Sequence, residues 1–213
     1  MTARVWRMAV ADFRERRRRP AYAVTLLAAV ALAYLAVPGP GSRWTILDVG
    51  GYRGLYTSAY VGAATALASA LWLTVGGFYV VRNTVGRDEA TGVGRLLGAT
   101  PLPTWAYLVV KWVSNVLVLA SMAGAVAAAA VVLQLVRAED GHLDLVVLLG
   151  PYLVVVMPLV VMTAAVAVVF ETTPVLRGGV GNVCWFFFAV LGAIAGQSAA
   201  APLGGLGVGP VAQ

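Results

Sequence analysis

One cysteine, one histidine and one lysine are all that 213 residues contain of these three types. Cys184 alone excludes an internal disulfide and any cysteine metal cluster, and it reads as a small core residue. His142 has only Glu139, Asp140 and Asp144 nearby, short of the three or four fixed ligands that zinc takes. Lys111 stands between Val110 and Trp112, so the Gly-Lys-Ser/Thr of a phosphate-binding loop is missing. Gly92, Gly94 and Gly98 have no strand before them and make no dinucleotide fingerprint. No serine or cysteine has an evident base partner, and no catalytic residue is expected. Charge is scarce too: 11% of residues carry it, against roughly 25% in a soluble domain. That is too little to coat a surface facing water.

What is present is apolar. Hydrophobic residues make up 61% of the chain, and the mean hydropathy is +0.87. Arg16-Arg17-Arg18-Arg19-Pro20 runs straight into Ala21–Val37, which carries no charge. Similar blocks recur at about 59–81, 105–136, 145–170 and 180–200. A membrane-spanning helix needs about 17–25 residues. The pattern predicts an all-α, polytopic transmembrane bundle of about five crossings. The first block is not a secretory signal, since Pro38-Gly39-Pro40-Gly41 follows where a small-residue cleavage site belongs.

The basic residues orient it. Met1–Pro20 holds seven, Arg82–Thr104 holds Arg82, Arg87 and Arg95, and Glu171–Gly179 holds Arg177; the alternate connections hold Arg43, Arg53 and Arg137. Eleven against three places the N-terminus in the cytoplasm. Beside a bilayer, the N-terminal charges read as a topology signal and not as a nucleic-acid arm. Arg16, Arg17, Arg18 and Arg19 then anchor to anionic lipid, at about 1 kcal/mol per basic residue. Fourteen arginines to one lysine, with abundant Ala, Gly and Val, point to a GC-rich bacterial genome and so to the inner (plasma) membrane.

The third block exceeds one straight crossing and holds Lys111 about two turns from its cytoplasmic end. Two readings stand: the amine snorkels to the headgroups, or it lines a pathway. Asn115, four residues on, shares its helix face. With Ser114, Ser121 and Gln134 it makes this the most polar block, one that faces other helices. Pro151 and Pro158 are expected to kink the fourth block. Gly192 and Gly196 offer a close helix contact in the fifth, and Pro202–Gln213 reads as a poorly ordered tail.

The insert Arg82–Thr104 reads as a short cytoplasmic helix. Asn83 or Thr84 caps it, Asp88 and Glu89 suit its first turns, Leu96 and Leu97 give it an apolar side, and Pro101 and Pro103 end it. Both a lever for motion and an ordinary surface loop fit that description. The stretch FYVVRNTVGRDEATGVGRLLGATPLPTWAYLVVKWVSN, Phe78–Asn115, resembles the first cytoplasmic loop of ABC-2-type transporter permeases. FETTPVLRGGVGNVCWFFF, Phe170–Phe188, is similar to a later block of the same group. The resemblance implies an export permease seated on a separate ATP-binding subunit, with ATP bound there and no cofactor here. A second permease half, or a second copy, completes it. The coupling residues it implies are Arg87, Asp88, Glu89, Thr91, Gly92, Arg95 and Leu96, and Asp12–Arg19 matches the family's elbow helix. Five crossings, where that family has six per half, leave a truncated or accessory non-transporting protein as the alternative.

Overall fold

A computed structural model of the chain describes residues 2–39, 48–49, 52–53, 55–90, 92, 103–137, 139 and 142–195. It is built of helices: α1 (Thr2–Arg17), α2 (Pro20–Ala36), α3 (Ser58–Val81), α4 (Thr84–Ala90), α5 (Thr104–Arg137), α6 (Leu145–Thr172) and α7 (Gly179–Ala195). A two-residue antiparallel pairing, Asp48–Val49 with Tyr52–Arg53, lies between α2 and α3. The architecture is an all-α bundle.

Local chemistry sets the ends of the helices. Proline disfavours a helical residue before it, and Arg19 is extended (φ −83°, ψ 143°); Pro20 then starts α2 with a φ already suited to a first turn. The chain turns 77° between α1 and α2. Thr57 caps α3, its hydroxyl accepting from the Tyr60 amide at 3.4 Å. Asp144 caps α6, accepting from the amides of Val146 and Val147 at 3.0 and 3.1 Å. Within α6, Pro151 can donate no backbone hydrogen bond, and a π turn over Tyr152–Val156 follows it directly. Pro158 lies at the start of the regular helix beyond.

α3 is the centre, packed against α2, α5, α6 and α7. Its small residues admit neighbours closely. A Cβ on Gly62 would lie 2.4 Å from the Leu148 carbonyl oxygen, so α3 and α6 touch backbone to backbone there. Gly77 faces the Leu119 side chain in the same way. Trp185 of α7 stacks on Phe78 with centroids 4.5 Å apart and donates its Nε1–H to the Thr74 carbonyl at 3.1 Å. At the far end, the Arg137 guanidinium closes α2, donating to the Tyr34 and Val37 carbonyls and lying 4.2 Å over the Tyr34 ring.

The outside of the bundle is apolar. Leu153 and Val154 are 70% and 75% exposed, with Phe187, Phe188 and Leu191 open alongside. Surface of that extent is covered by lipid in a stable protein. Ser58–Asp88, α5 and α6 are each long and apolar enough to cross a membrane, and the bent α1–α2 pair brings the number to four. The chain is a membrane protein. α7 is a shorter apolar helix; the rest of the expected fifth crossing, Gly196 and the 202–213 tail lie outside the described residues.

Two packing expectations are corrected. Among the described residues a Cβ on Gly192 would meet nothing within 4 Å; close approach is made at Gly62 and Gly77 instead. Cys184 is exposed rather than in the core, since the neighbouring Trp185 takes the inward position.

Candidate functional site

Among the described residues, the buried charges meet at one place, where α1, α4, α5 and the end of α6 converge. Asp12 of α1 is the hub. Its carboxylate lies 2.9 Å from Arg16 one turn on, 3.3 Å from Arg87 of α4 and 3.5 Å from the Lys111 amine of α5. It also accepts a hydrogen bond from the Ser114 hydroxyl at 2.6 Å. Lys111 is closer still to Asp88 of α4, at 2.7 Å, and the Tyr107 hydroxyl donates to the same Asp88 oxygen at 2.9 Å. Arg16 reaches across to Asn115, donating to its Oδ1 at 2.6 Å. The Asn115 amide donates in turn to the Ala164 carbonyl of α6 at 3.5 Å.

A third carboxylate holds the start of α4. Glu171 of α6 accepts from the Val85 amide at 2.5 Å and from the Thr84 hydroxyl at 3.1 Å. A side chain from another helix thus occupies the capping role, while Asn83, with φ +68°, makes the joint to α3. Three acids, Asp12, Asp88 and Glu171, meet three bases, Arg16, Arg87 and Lys111. Balance is what such a site requires, because an unpaired buried ion costs several kcal/mol. Burial pushes the Asp12 carboxyl up, but Arg16, Lys111, the Ser114 hydroxyl and Arg87 together outweigh it and hold it below the usual carboxylate range. A cavity of about 460 Å³ opens beside the cluster, lined by Asp12, Glu15, Arg87, Asp88 and Lys111 among others.

The expected residues divide sharply. Arg87 and Asp88 are brought together with Lys111 and Asn115. Asp88 sits in the second turn of α4 and is buried, 8% exposed, drawn in by the Lys111 amine. Lys111 is 4% exposed and reaches carboxylates, so snorkelling to headgroups is not what satisfies it. Glu89 belongs to α4, its side chain outside the described residues, and Gly92 turns with φ +76°. Thr91, Arg95 and Leu96 lie outside the described residues. Of the expected lipid anchors, Arg17 and Arg18 are exposed and Arg19 pairs with Glu15 at 2.6 Å. Arg16 is corrected: it is buried, because Asp12 one turn earlier pulls it into the cluster.

Sequence reasoning missed Asp12 as a hub, along with Glu171 and Ser114. The i, i+4 spacing of Asp12 and Arg16 was the readable hint. The class that fold and site define is therefore a helical membrane protein with a buried, charge-balanced junction at one end. No family model, no curated protein and no solved structure matches the chain.

Proposed function

We propose that this chain is the membrane-spanning permease subunit of an ATP-driven exporter of the ABC-2 type. In this reading it lies in a bacterial inner membrane with its N-terminus in the cytoplasm. A separate ATP-binding subunit docks on α4 and the segment after it, and a second permease half, or a second copy of the chain, completes the path.

One observation carries the reading. α4 is a two-turn helix between two long apolar helices, and it is fastened on three sides: to α6 through Glu171, to α1 through Arg87 and Asp12, and to α5 through Asp88 and Lys111. A force applied to α4 displaces three helices at once, which is what coupling to an external motor demands. The resemblance of Phe78–Asn115 and Phe170–Phe188 to ABC-2 permeases points the same way, since both stretches contribute to this junction.

The test is reconstitution. The tagged full chain, co-expressed with any protein encoded beside it that carries a Walker A motif, is purified in detergent and moved to nanodiscs. A stoichiometric complex with chain-dependent ATP hydrolysis is expected. Glu89→Lys combined with Arg95→Glu, which spares Asp88 and Arg87, is expected to abolish that complex with the chain still monodisperse. A wild-type chain that retains no ATP-binding subunit in nanodiscs overturns the reading. A complex that hydrolyses ATP only at the rate of the free subunit assigns the chain an accessory role instead.

A further inference from the structure

We infer that α6 has two seatings in the bundle, and that Glu171, held on α4, is the catch that selects between them. The joint is the π turn over Tyr152–Val156, where the Met157 amide donates five residues back to the Tyr152 carbonyl. Such turns are rare, and where they occur they are often at functional sites. Pro151 and Pro158 bracket this one, and neither can donate a backbone hydrogen bond in either winding. On the outer side of the joint, α6 is clamped to α3 where Gly62 meets Leu148. Only the inner half is therefore placed to turn.

The buried row of α6 suits the π turn. Leu148, Tyr152, Val156, Val160 and Ala164 are buried at intervals of four. In an unbroken α-helix four such steps carry a row about 160° around the axis, and the π turn takes back about 100° of that. Rewound as α, the inner half would seat each residue in the place now held by the next. Leu159 would replace Val160, Met162 would replace Thr163, Val166 would replace Ala167, and Phe170 would replace Glu171. That second row is apolar throughout, and Leu159, Val166 and Phe170 already lean on the edge of the core. The displaced Val160, Ala164 and Val168 are equally at home against lipid tails, which are as apolar as the interior.

The polar contacts agree. Trp112 and Asn115 of α5 donate to the Val161 and Ala164 carbonyls at 3.3 and 3.5 Å, and whichever residue arrives brings a carbonyl with it. Thr163 is buried with its hydroxyl unpartnered. The second seating would bring it to the place of Ala164, beside the Asn115 carboxamide. Among the described residues, Glu171 is the one side chain of the inner half that hydrogen-bonds to another helix, so its hold on Thr84 and Val85 favours the first seating. The incoming row is the bulkier, and a packed seam does not absorb extra volume, so release moves the inner half of α6 outward.

The switch concerns α6 and needs no docked partner, so it stands or falls apart from the proposed function. The full chain, in nanodiscs and with Cys184→Ala, is spin-labelled at Val169→Cys on α6 and at either Leu71→Cys on α3 or Val132→Cys on α5, all exposed positions. Pulsed electron-spin resonance reads the distance in each pair. Glu171→Ala is expected to shift at least one of the two distances by about 5 Å, the displacement of a helix surface turned by one residue. Glu171→Gln, which keeps an acceptor, is expected to show the old and new distances together. Deleting Val154, an exposed residue of the π turn, removes the extra residue and leaves each later one in its present place. The deletion is expected to keep the original distances, and to abolish the shift when combined with either Glu171 variant. Original distances alone in both Glu171 variants overturn the inference. So does a shift that survives the deletion, which means that α6 leans without rewinding, and so does a deletion that moves the distances by itself.

Discussion

The two ends of this bundle are held by opposite means. Near the start of α3, Gly62 lets α6 come so close that its backbone fills the space a side chain would take. Contact of that kind has one geometry and no substitute. At the other end, α4 is held by carboxylates and cations, each with more than one partner: Asp12 has Arg16, Arg87 and Lys111, and Lys111 has Asp12 and Asp88. Long side chains can exchange such partners while the helices move. The difference teaches where this protein is rigid and where it can shift: α3 and α6 form a fixed spine, and α1 and α4 are moored to it through the charged junction.

The largest effect is expected from attacking the spine. Gly62→Val places atoms on the Leu148 carbonyl and Cα, and no rotamer relieves a clash with backbone. Overpacking by even one methylene costs about 1–3 kcal/mol, so this variant is expected to lose more than 3 kcal/mol and most of its monodisperse yield. Size-exclusion chromatography in detergent reads it directly. A well-folded Gly62→Val chain would erase the contrast between the two ends.

Breaking the junction comes next. Asp12→Ala leaves three cations sharing Asp88 and Glu171, and loss of one partner from a buried ionic group costs about 3–5 kcal/mol. A loss near the lower bound is expected, because Asp88 stays on Lys111. Adding Lys111→Leu removes one of the stranded cations, so the double variant is expected to lose less than the sum of the singles by about 1 kcal/mol in a thermal-unfolding cycle. Additive losses would mean the two groups do not share one network.

Acid offers a milder probe of the same contrast. The Asp12 carboxyl lies below its ordinary range in the folded chain. A depressed value contributes stability above the unfolded pKa, about 3.9 for aspartate, and that contribution is lost as pH falls through the lower folded value. The unfolding temperature is therefore expected to drop as pH falls below about 4, and to drop less in Asp12→Asn. The smallest effect is expected at Arg19, whose pair with Glu15 is exposed on both sides (41% and 59%). Arg19→Gln is expected to cost about 0–1 kcal/mol, which thermal unfolding in detergent would register as little or no shift.

How much of this was legible beforehand follows from the range of each interaction. The helices were, since apolar runs bounded by Arg19-Pro20, Thr57 and Asp144 announce their own limits to within a residue or two. The start of α4 was legible at Thr84, but it ends at Ala90, and Leu96, Leu97 and Pro101 lie outside the described residues. The junction was not. Asp12 and Lys111 are 99 positions apart, and a lone lysine in an apolar run looks identical whether its amine ends in headgroups or against a carboxylate. For the same reason the burial of Asp88 was hidden: its partner arrives from α5. Arg16 looked like its neighbours in the basic run, and only the phase of α1 separates it from Arg17 and Arg18.

The π turn at Tyr152–Val156 gives α6 a property that an unbroken helix would lack. It wedges one extra residue into the winding, so everything after it is rotated by one step, about 100° about the axis. Glu171 stands on the rotated portion, and its seat on Thr84 and Val85 exists only in that phase. The irregularity near one end of α6 therefore sets the angular registration of the carboxylate at the other. A winding fault about four turns away decides whether α4 has a cap.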